Sequence, residues 1–238
     1  MKLVFNPFET KLLGYKAGVI NLPNSRLEPE QLDALRKILV EAVEINYQFL
    51  SMRCSPPDLN ILGHLLHLKF VQIERLVAFE KRLDKFSGLS VEGVREAKIE
   101  DVSAMKTIAS SAFKFDRFHA DKSISNDVAD NLKVAWVENA FRYRSDRVFV
   151  HETCERINGF ISTLLDENSV SIDLIAVSRD AQRKRIGTSL VAFVEEFYQK
   201  KCSTIKVGTQ DKNNSSMAMY QQLGFEPSMV NVTFHWRP

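Results

Sequence analysis

Leu174-Ile175-Ala176-Val177-Ser178-Arg179-Asp180-Ala181-Gln182-Arg183-Lys184-Arg185-Ile186-Gly187-Thr188 joins a short apolar run, a basic loop and the opening of an amphipathic helix. The run 169–177 reads as a buried strand, and from Gly187 onward Leu190, Val191, Val194, Phe197 and Tyr198 recur at helical spacing. A strand feeding a helix through such a loop brings the helix's first backbone N–H groups and the positive end of its dipole to one point, which suits a pyrophosphate. Gly187 has no Cβ to hold a ligand away from that backbone, and Arg183, Lys184 and Arg185 add cationic side chains. The same features also describe an ordinary solvated basic loop.

Working outward, 204–210 reads as a strand, 215–223 as a helix ending at Gly224, and 230–236 as a closing strand. Upstream, 147–153, 156–165 and 169–177 are three strand-like runs separated by polar or turn-forming residues, the pattern of a meander. Before them come a helix with Val102, Met105, Ile108, Ala109 and Ala112 on its apolar face, a polar stretch at 114–131, and a helix over 131–141. The order helix, helix, three strands, helix, strand, helix, strand predicts an α/β (α+β) fold with a mixed sheet, hairpins first and crossovers later. The first 90 residues differ in pattern. Short apolar stretches are broken by Pro7, Gly14 and Pro23, a helix starts near Pro29 with Leu32, Leu35, Leu39 and Val43, and an apolar stretch of open type covers 59–70. Residues 84–93 read as a linker, so the expected domains are 1–90 and 94–238.

Composition narrows the function. Thirty-two lysines and arginines against 30 acidic residues give +2, interspersed along the chain, which argues against a nucleic-acid or membrane-surface protein. No apolar run is long enough to insert in a membrane and the start lacks a signal-peptide core, so a cytoplasmic protein is expected. Cys54, Cys154 and Cys202 are odd in number and widely spaced, as reduced thiols would be. His64 and His67 lie three apart without an acidic or cysteine partner beside them, and no metal site is expected.

The run from Gln182 resembles motif A of the GNAT superfamily of N-acetyltransferases: Gln or Arg, two residues, Gly, one residue, then Gly or Ala. Gln182 and Gly187 hold its ends, and Arg185 stands where the inner glycine is usual. The strand 204–210, then Asn213, Tyr220 and Gly224-Phe225, follow in the superfamily's order, so the resemblance spans about 94–236. It implies a central mixed, largely antiparallel sheet flanked by helices, and acetyl-CoA as cosubstrate. The strand end with Ile175, Ala176 and Val177 would splay from its neighbour and pair with the pantetheine arm. Gln182, Arg183, Lys184, Arg185, Ile186, Gly187 and Thr188 would hold the pyrophosphate, and Asn213 would bond the pantetheine. Tyr220, two helical turns beyond Asn213, would protonate the departing thiolate, while a backbone N–H near Val177 polarises the thioester.

Asp116-Arg117-Phe118-His119-Ala120-Asp121, Trp136-Val137-Glu138-Asn139, Asn6-Pro7-Phe8-Glu9 and Gly14-Tyr15 further resemble those members that acetylate dTDP-4-amino-4,6-dideoxygalactose. That narrower resemblance makes 1–90 a truncated α/β half-domain and the acceptor a nucleotide-linked 4-amino-6-deoxyhexose for surface polysaccharide. Phe118, His119, Asp121 and Asp173 become its contacts, and Met219 stands where a basic residue is typical. The amine must lose a proton, for which Asp173, His119, Asp121 and Glu138 are candidates. Transfer to a peptide or protein amine, and acetyl-CoA binding without transfer, stay open. The superfamily is often dimeric, so a homodimer is compatible with the resemblance.

Overall fold

The structure, a computed structural model, describes residues 1–85 and 91–238. In chain order the elements are β1 (Lys2–Phe5), α1 (Pro7–Leu13), β2 (Ala17–Asn21), α2 (Leu32–Glu44), β3 (Phe49–Cys54), α3 (Leu59–His67), β4 (Phe70–Arg82) and β5 (Val94–Glu96). Then follow α4 (Val102–Ala112), α5 (Arg117–Ala120), α6 (Asn126–Asn139), β6 (Arg147–Thr153), β7 (Arg156–Leu165) and β8 (Ser169–Val177). The chain closes with α7 (Ile186–Tyr198), β9 (Thr204–Gln210), α8 (Asn214–Gln222) and β10 (Glu226–Trp236). No described helix is long and apolar enough to cross a membrane.

Two compact units emerge. The first joins Met1–Leu76, Asp116–Val128 and Val230–Pro238; the second joins Val77–Phe115 and Ala129–Met229. The boundary therefore falls inside β4 and inside β10, and the first unit takes in two stretches far beyond residue 90.

In the first unit β1 pairs antiparallel with β2, β2 parallel with β3, and β3 antiparallel with the last residues of β10. Local sequence sets the short α1 between β1 and β2. Asn6 Oδ1 accepts from Glu9 N–H at 3.0 Å, Pro7 opens the first turn, and Gly14 at φ 78° ends the helix in the left-handed region. The helices α2 and α3 turn Leu35, Leu39, Ile61 and Leu65 into a core with Leu50, Met52 and Phe234.

In the second unit β5 pairs antiparallel with β6; β6, β7 and β8 follow as antiparallel hairpins, β8 turns parallel to β9, and β4 lies beyond β9. Met105, Ile108 and Ala109 of α4 pack with Val150, Phe160, Leu174 and Ala176 in one core. The expected hairpin runs and the strand 204–210 match the observed strands in both bounds.

Elsewhere the structure departs from the sequence pattern. The stretch 59–70 resolves into α3 followed by the start of β4, a 13-residue strand that the pattern does not show. Its charged residues are the reason. Glu74 is buried against Arg53 and Thr233, and Lys81 is buried against Glu195 at 2.8 Å, so charge interrupts an otherwise apolar strand. The helix expected from 131 begins at Asn126, where Ser125 Oγ accepts from Val128 N–H at 3.3 Å, and the short α5 interrupts the polar stretch before it. The linker expected at 84–93 falls in part on 86–90, outside the described residues.

Candidate active site

β8 is held differently on its two edges. Against β7 the ladder runs from Leu165↔Val170 to Gly159↔Val177, with a bulge that leaves Asp173 as the extra residue. Ser162 Oγ accepts the Leu174 N–H at 3.1 Å there, and Arg144 Nη2 lies 3.1 Å from Asp173 Oδ1. Against β9 the ladder runs only from Ser169↔Thr204 to Ile172↔Val207. Residues 173–177 and 208–210 continue as strands outside that ladder, so β8 and β9 part at their C-terminal ends. An unpaired strand edge offers backbone N–H and C=O groups to an extended ligand.

The parted end of β8 leads straight into the basic loop. A short turn, Arg179–Ala181, is followed by Gln182, whose amide donates to Val177 O at 3.4 Å. Arg183 and Arg185 both sit at φ 62°, the left-handed region, and Arg185 is the N-cap residue of α7. Position 185 thus has the conformation that the usual glycine would take freely, occupied by a residue that is strained in it. A left-handed residue followed by a helical one turns successive N–H groups toward a common point, an anion-binding arrangement. No side chain caps α7, and 182–185 are exposed, whereas Ile186 is buried and points its Cγ2 toward Gly159.

Two glycines let this end close up. A Cβ on Gly159 would meet Ala176 O at 2.9 Å, Ile186 Cγ2 at 3.1 Å and Leu190 Cδ1 at 3.3 Å, so α7 can lie on β7 only because position 159 carries no side chain. A Cβ on Gly187 would meet Met219 Sδ at 3.0 Å, a contact with the soft end of a flexible side chain.

Asn213 is the N-cap of α8: its Oδ1 accepts from Ser216 N–H at 3.3 Å and from the Ser215 hydroxyl at 3.0 Å. Tyr220, on the same helix, is 1% exposed, with its ring against Phe79 and Phe225. Burial pushes its phenol well above the ordinary tyrosine value. Burial likewise raises the Asp173 carboxyl, partly offset by the charges of Arg144 and Lys133. A cavity of about 660 Å³ opens on the α4 side of the loop, walled by Thr107, Ile108, Glu152, Glu155, Ser178 and Asp180. Arg156 and Arg179 also line it, but its carboxylates outnumber them and suit it poorly to a diphosphate, which leaves the exposed cations of 183–185 as the better anion contacts.

Phe118, His119 and Asp121 belong to the first unit and are all deeply set there. His119 Nδ1 lies 2.5 Å from Asp116 Oδ2. Asp121 Oδ2 accepts from His235 Nδ1 at 2.6 Å and from Arg237 Nη2 at 2.9 Å, and Asp121 Oδ1 accepts from Ser123 N–H at 2.9 Å. Burial alone would raise that carboxyl, but the three donors outweigh it and hold the group well below the usual carboxylate range. Arg117 donates to Glu9, and its guanidinium stands 4.3 Å over the Phe118 ring.

The second unit therefore gathers Ile175, Ala176, Val177, Gln182 to Thr188, Asn213, Tyr220 and Asp173, and the first gathers Phe118, His119 and Asp121. Gly159, Ser162 and His235 are not among the residues that the sequence singles out. Only the Asn158-Gly159 pair inside an apolar run offered a signal, as a glycine where another backbone comes close. Among the described residues no group of three or more His, Cys, Asp or Glu is arranged to hold a metal ion, and Cys54, Cys154 and Cys202 are free thiols.

The chain is similar to known proteins. Spore coat polysaccharide biosynthesis protein SpsD of Bacillus subtilis is 26% identical over 139 residues, 58% of this chain and 48% of its own length. A dTDP-fucosamine acetyltransferase of Escherichia coli is 28% identical over 153 residues, 63% of this chain and 64% of its own. The chain thus spans about half to two thirds of the length of these curated relatives. In fold it is similar to a GCN5-related N-acetyltransferase from Kribbella flavida, with TM-score 0.64 and 13% identity over 94% of this chain and 81% of that one. Residues 110–225, from the end of α4 to the residue before β10, match the acetyltransferase (GNAT) family.

Proposed function

We propose that the chain moves an acetyl group from acetyl-CoA to the amine of a nucleotide-linked 4-amino-6-deoxyhexose, within 94–238, with 1–90 a truncated half-domain. The observation that carries the reading is the continuous path from the parted edge of β8 into an uncapped, cationic loop with left-handed residues at 183 and 185. A pantetheine arm would pair along 173–177, and the pyrophosphate would meet the N–H groups of 186–188 with Arg183, Lys184 and Arg185. The residues fit that group. The acceptor class rests on the two curated relatives, whose names concern polysaccharide synthesis and an amino sugar.

In this reading the acceptor amine attacks the thioester directly. Tyr220 is the general acid: burial keeps its phenol protonated, the state needed to hand a proton to the leaving thiolate. Asp173 is the best base of the four candidates. Its carboxyl is raised, whereas Glu138 is partly exposed and held low by hydrogen bonds from Lys106 and Arg142, Asp121 is saturated with donors, and the His119 Nδ1 is engaged by Asp116.

The test is turnover of acetyl-CoA with a panel of dTDP-amino sugars and of peptides bearing free amines. Acetylated sugar is expected. Acetylated peptide alone would move the acceptor class to protein amines, and coenzyme binding without product would make the chain a non-catalytic acetyl-CoA binder. Tyr220→Phe should lower kcat by about 10²–10⁴ with the KM for acetyl-CoA unchanged, and an unchanged kcat would remove Tyr220 from the mechanism.

A further inference from the structure

The bulge in β8 pairs Leu174 with Ser162 and Ile172 with Thr163, so Asp173 stands opposite no residue of β7. A second irregularity lies beside it. After Asn139 the helix α6 gives way to a single π-helical turn, Ala140–Arg144, a form frequent at functional sites. The turn is fastened at its end: Ser145 N–H donates to Ala140 O at 3.0 Å, and Asp146 N–H donates at 2.8 Å to the carbonyl of Thr163, the residue at which the β7 register shifts. Arg144 is the last residue of the turn, and its Nη2 comes to 3.1 Å from Asp173 Oδ1.

The charges around Asp173 can be named on every side. Arg144 approaches from the turn and Lys133 from α6, and both act on the carboxylate through their charge. Lys133 is buried, with its Nζ 4.0 Å from the centre of the Trp136 ring. β7 brings the uncharged Ser162 and Thr163, and the ladder with β9 has ended at Ile172. The neighbouring arginines pair elsewhere, Arg142 with Glu138 and Arg147 with Glu96. A carboxylate whose side chain is only 15% exposed tends to keep its proton, and a base that keeps its proton takes none from an amine. A guanidinium against it works the other way. Because the Arg144 side chain is 47% exposed, the pair adds little to stability, and its effect falls on the carboxyl rather than on the fold.

We propose that Arg144 is a positioning residue for the acyl transfer: from the π-helical turn it holds the Asp173 carboxylate charged and in place to take the proton of the acceptor amine. The inference rests on the base assigned to Asp173 above and deepens it. In the step served, the amine nitrogen bonds to the thioester carbon and the C–S bond breaks with its electron pair on sulfur. One amine proton passes to Asp173, and Tyr220 gives its proton to the thiolate.

The experiment follows the carboxyl itself, by carbon-13 NMR titration of the full chain labelled at aspartate, with the Asp173 resonance assigned by its loss in Asp173→Asn. Alongside, kcat is measured against pH with saturating acetyl-CoA and one amine of the panel, the same in every variant, so that the amine's own titration cancels. Circular dichroism checks that each variant is folded. In Arg144→Gln the carboxyl should titrate at higher pH than in the native chain, and kcat on the acid limb should fall about three- to tenfold, the deficit shrinking toward the alkaline plateau. Arg144→Lys keeps the charge and should restore most of both. An unmoved titration in Arg144→Gln overturns the inference, and so does an equal loss of kcat at every pH, which a merely structural role would give. If Asp173→Asn removes the acid limb while Arg144→Gln leaves it in place, the base stands and only the role of Arg144 is rejected. If Asp173→Asn keeps the native kcat and acid limb, Asp173 is not the base, and the inference falls while acetyl transfer stands. Should the native chain acetylate no amine at all, the proposed function fails and takes this inference with it.

Discussion

The loop 182–188 and the buried network around Asp121 both bring charge to a point, and they do so by opposite means. The loop is one continuous stretch whose cations face water, and its cost is conformational: two arginines held at φ 62°. The network draws Glu9, Arg117, Asp121 and His235 from stretches more than a hundred residues apart, and its cost is desolvation, met by mutual hydrogen bonds. In the loop, side-chain charge contributes little to stability because solvent screens it. In the network the same charges are structural. Removing one member leaves others buried without a counterpart.

The comparison breaks most sharply at Asp121. Asp121→Ala strips the acceptor from His235, Arg237 and the Ser123 N–H together, and should destabilise the chain by about 3–5 kcal/mol in denaturant melts. Gln182→Ala, which removes one exposed 3.4 Å bond in the loop, should change stability by less than about 0.5 kcal/mol. Similar losses in the two variants would erase the distinction.

Acid should separate the regions next. His235 titrates near pH 4 in the fold against an ordinary value of 6.5, so the unfolded chain takes up its proton first as pH falls. Stability is then full above 6.5 and declines between 6.5 and about 4 by on the order of 3 kcal/mol. Asp121 adds a loss at still lower pH, because its carboxyl is held below its unfolded value. A urea midpoint that stays flat over that range in the native chain, or slopes equally in His235→Gln, would mean the imidazole is not buried neutral.

The same contrast explains what the sequence reveals. The hairpins 147–177 and the loop after them are legible because alternation, turn residues and helical spacing are local signals, each resolved within about ten residues. The bulge at Asp173 and the parting of β8 from β9 are not encoded in any one run; they arise from how three strands are paired. β4 is hidden by Glu74 and Lys81, whose charges read as surface until Arg53 and Glu195 are seen beside them. His235 is hidden more completely. Nothing near it in the sequence announces Asp121, 114 positions away, so the pair becomes visible only in the fold.

The smallest effect isolates backbone from side chain within the loop. Arg185 has the left-handed conformation of the inner glycine of the motif, and relief of that conformation is worth about 1–2 kcal/mol. Glycine also frees the unfolded chain, at about 0.5–1 kcal/mol, so Arg185→Gly should stabilise the fold by a net of about 0.5–1 kcal/mol. Its effect on the proposed coenzyme separates two roles. If the guanidinium binds phosphate, KM for acetyl-CoA rises several-fold, more steeply at low salt, while kcat holds. If only the N–H of residue 185 contributes, glycine offers the same donor and KM stays unchanged or falls. A destabilised variant would contradict the strain argument itself, since it would mean that Arg185 makes native contacts outweighing its backbone cost.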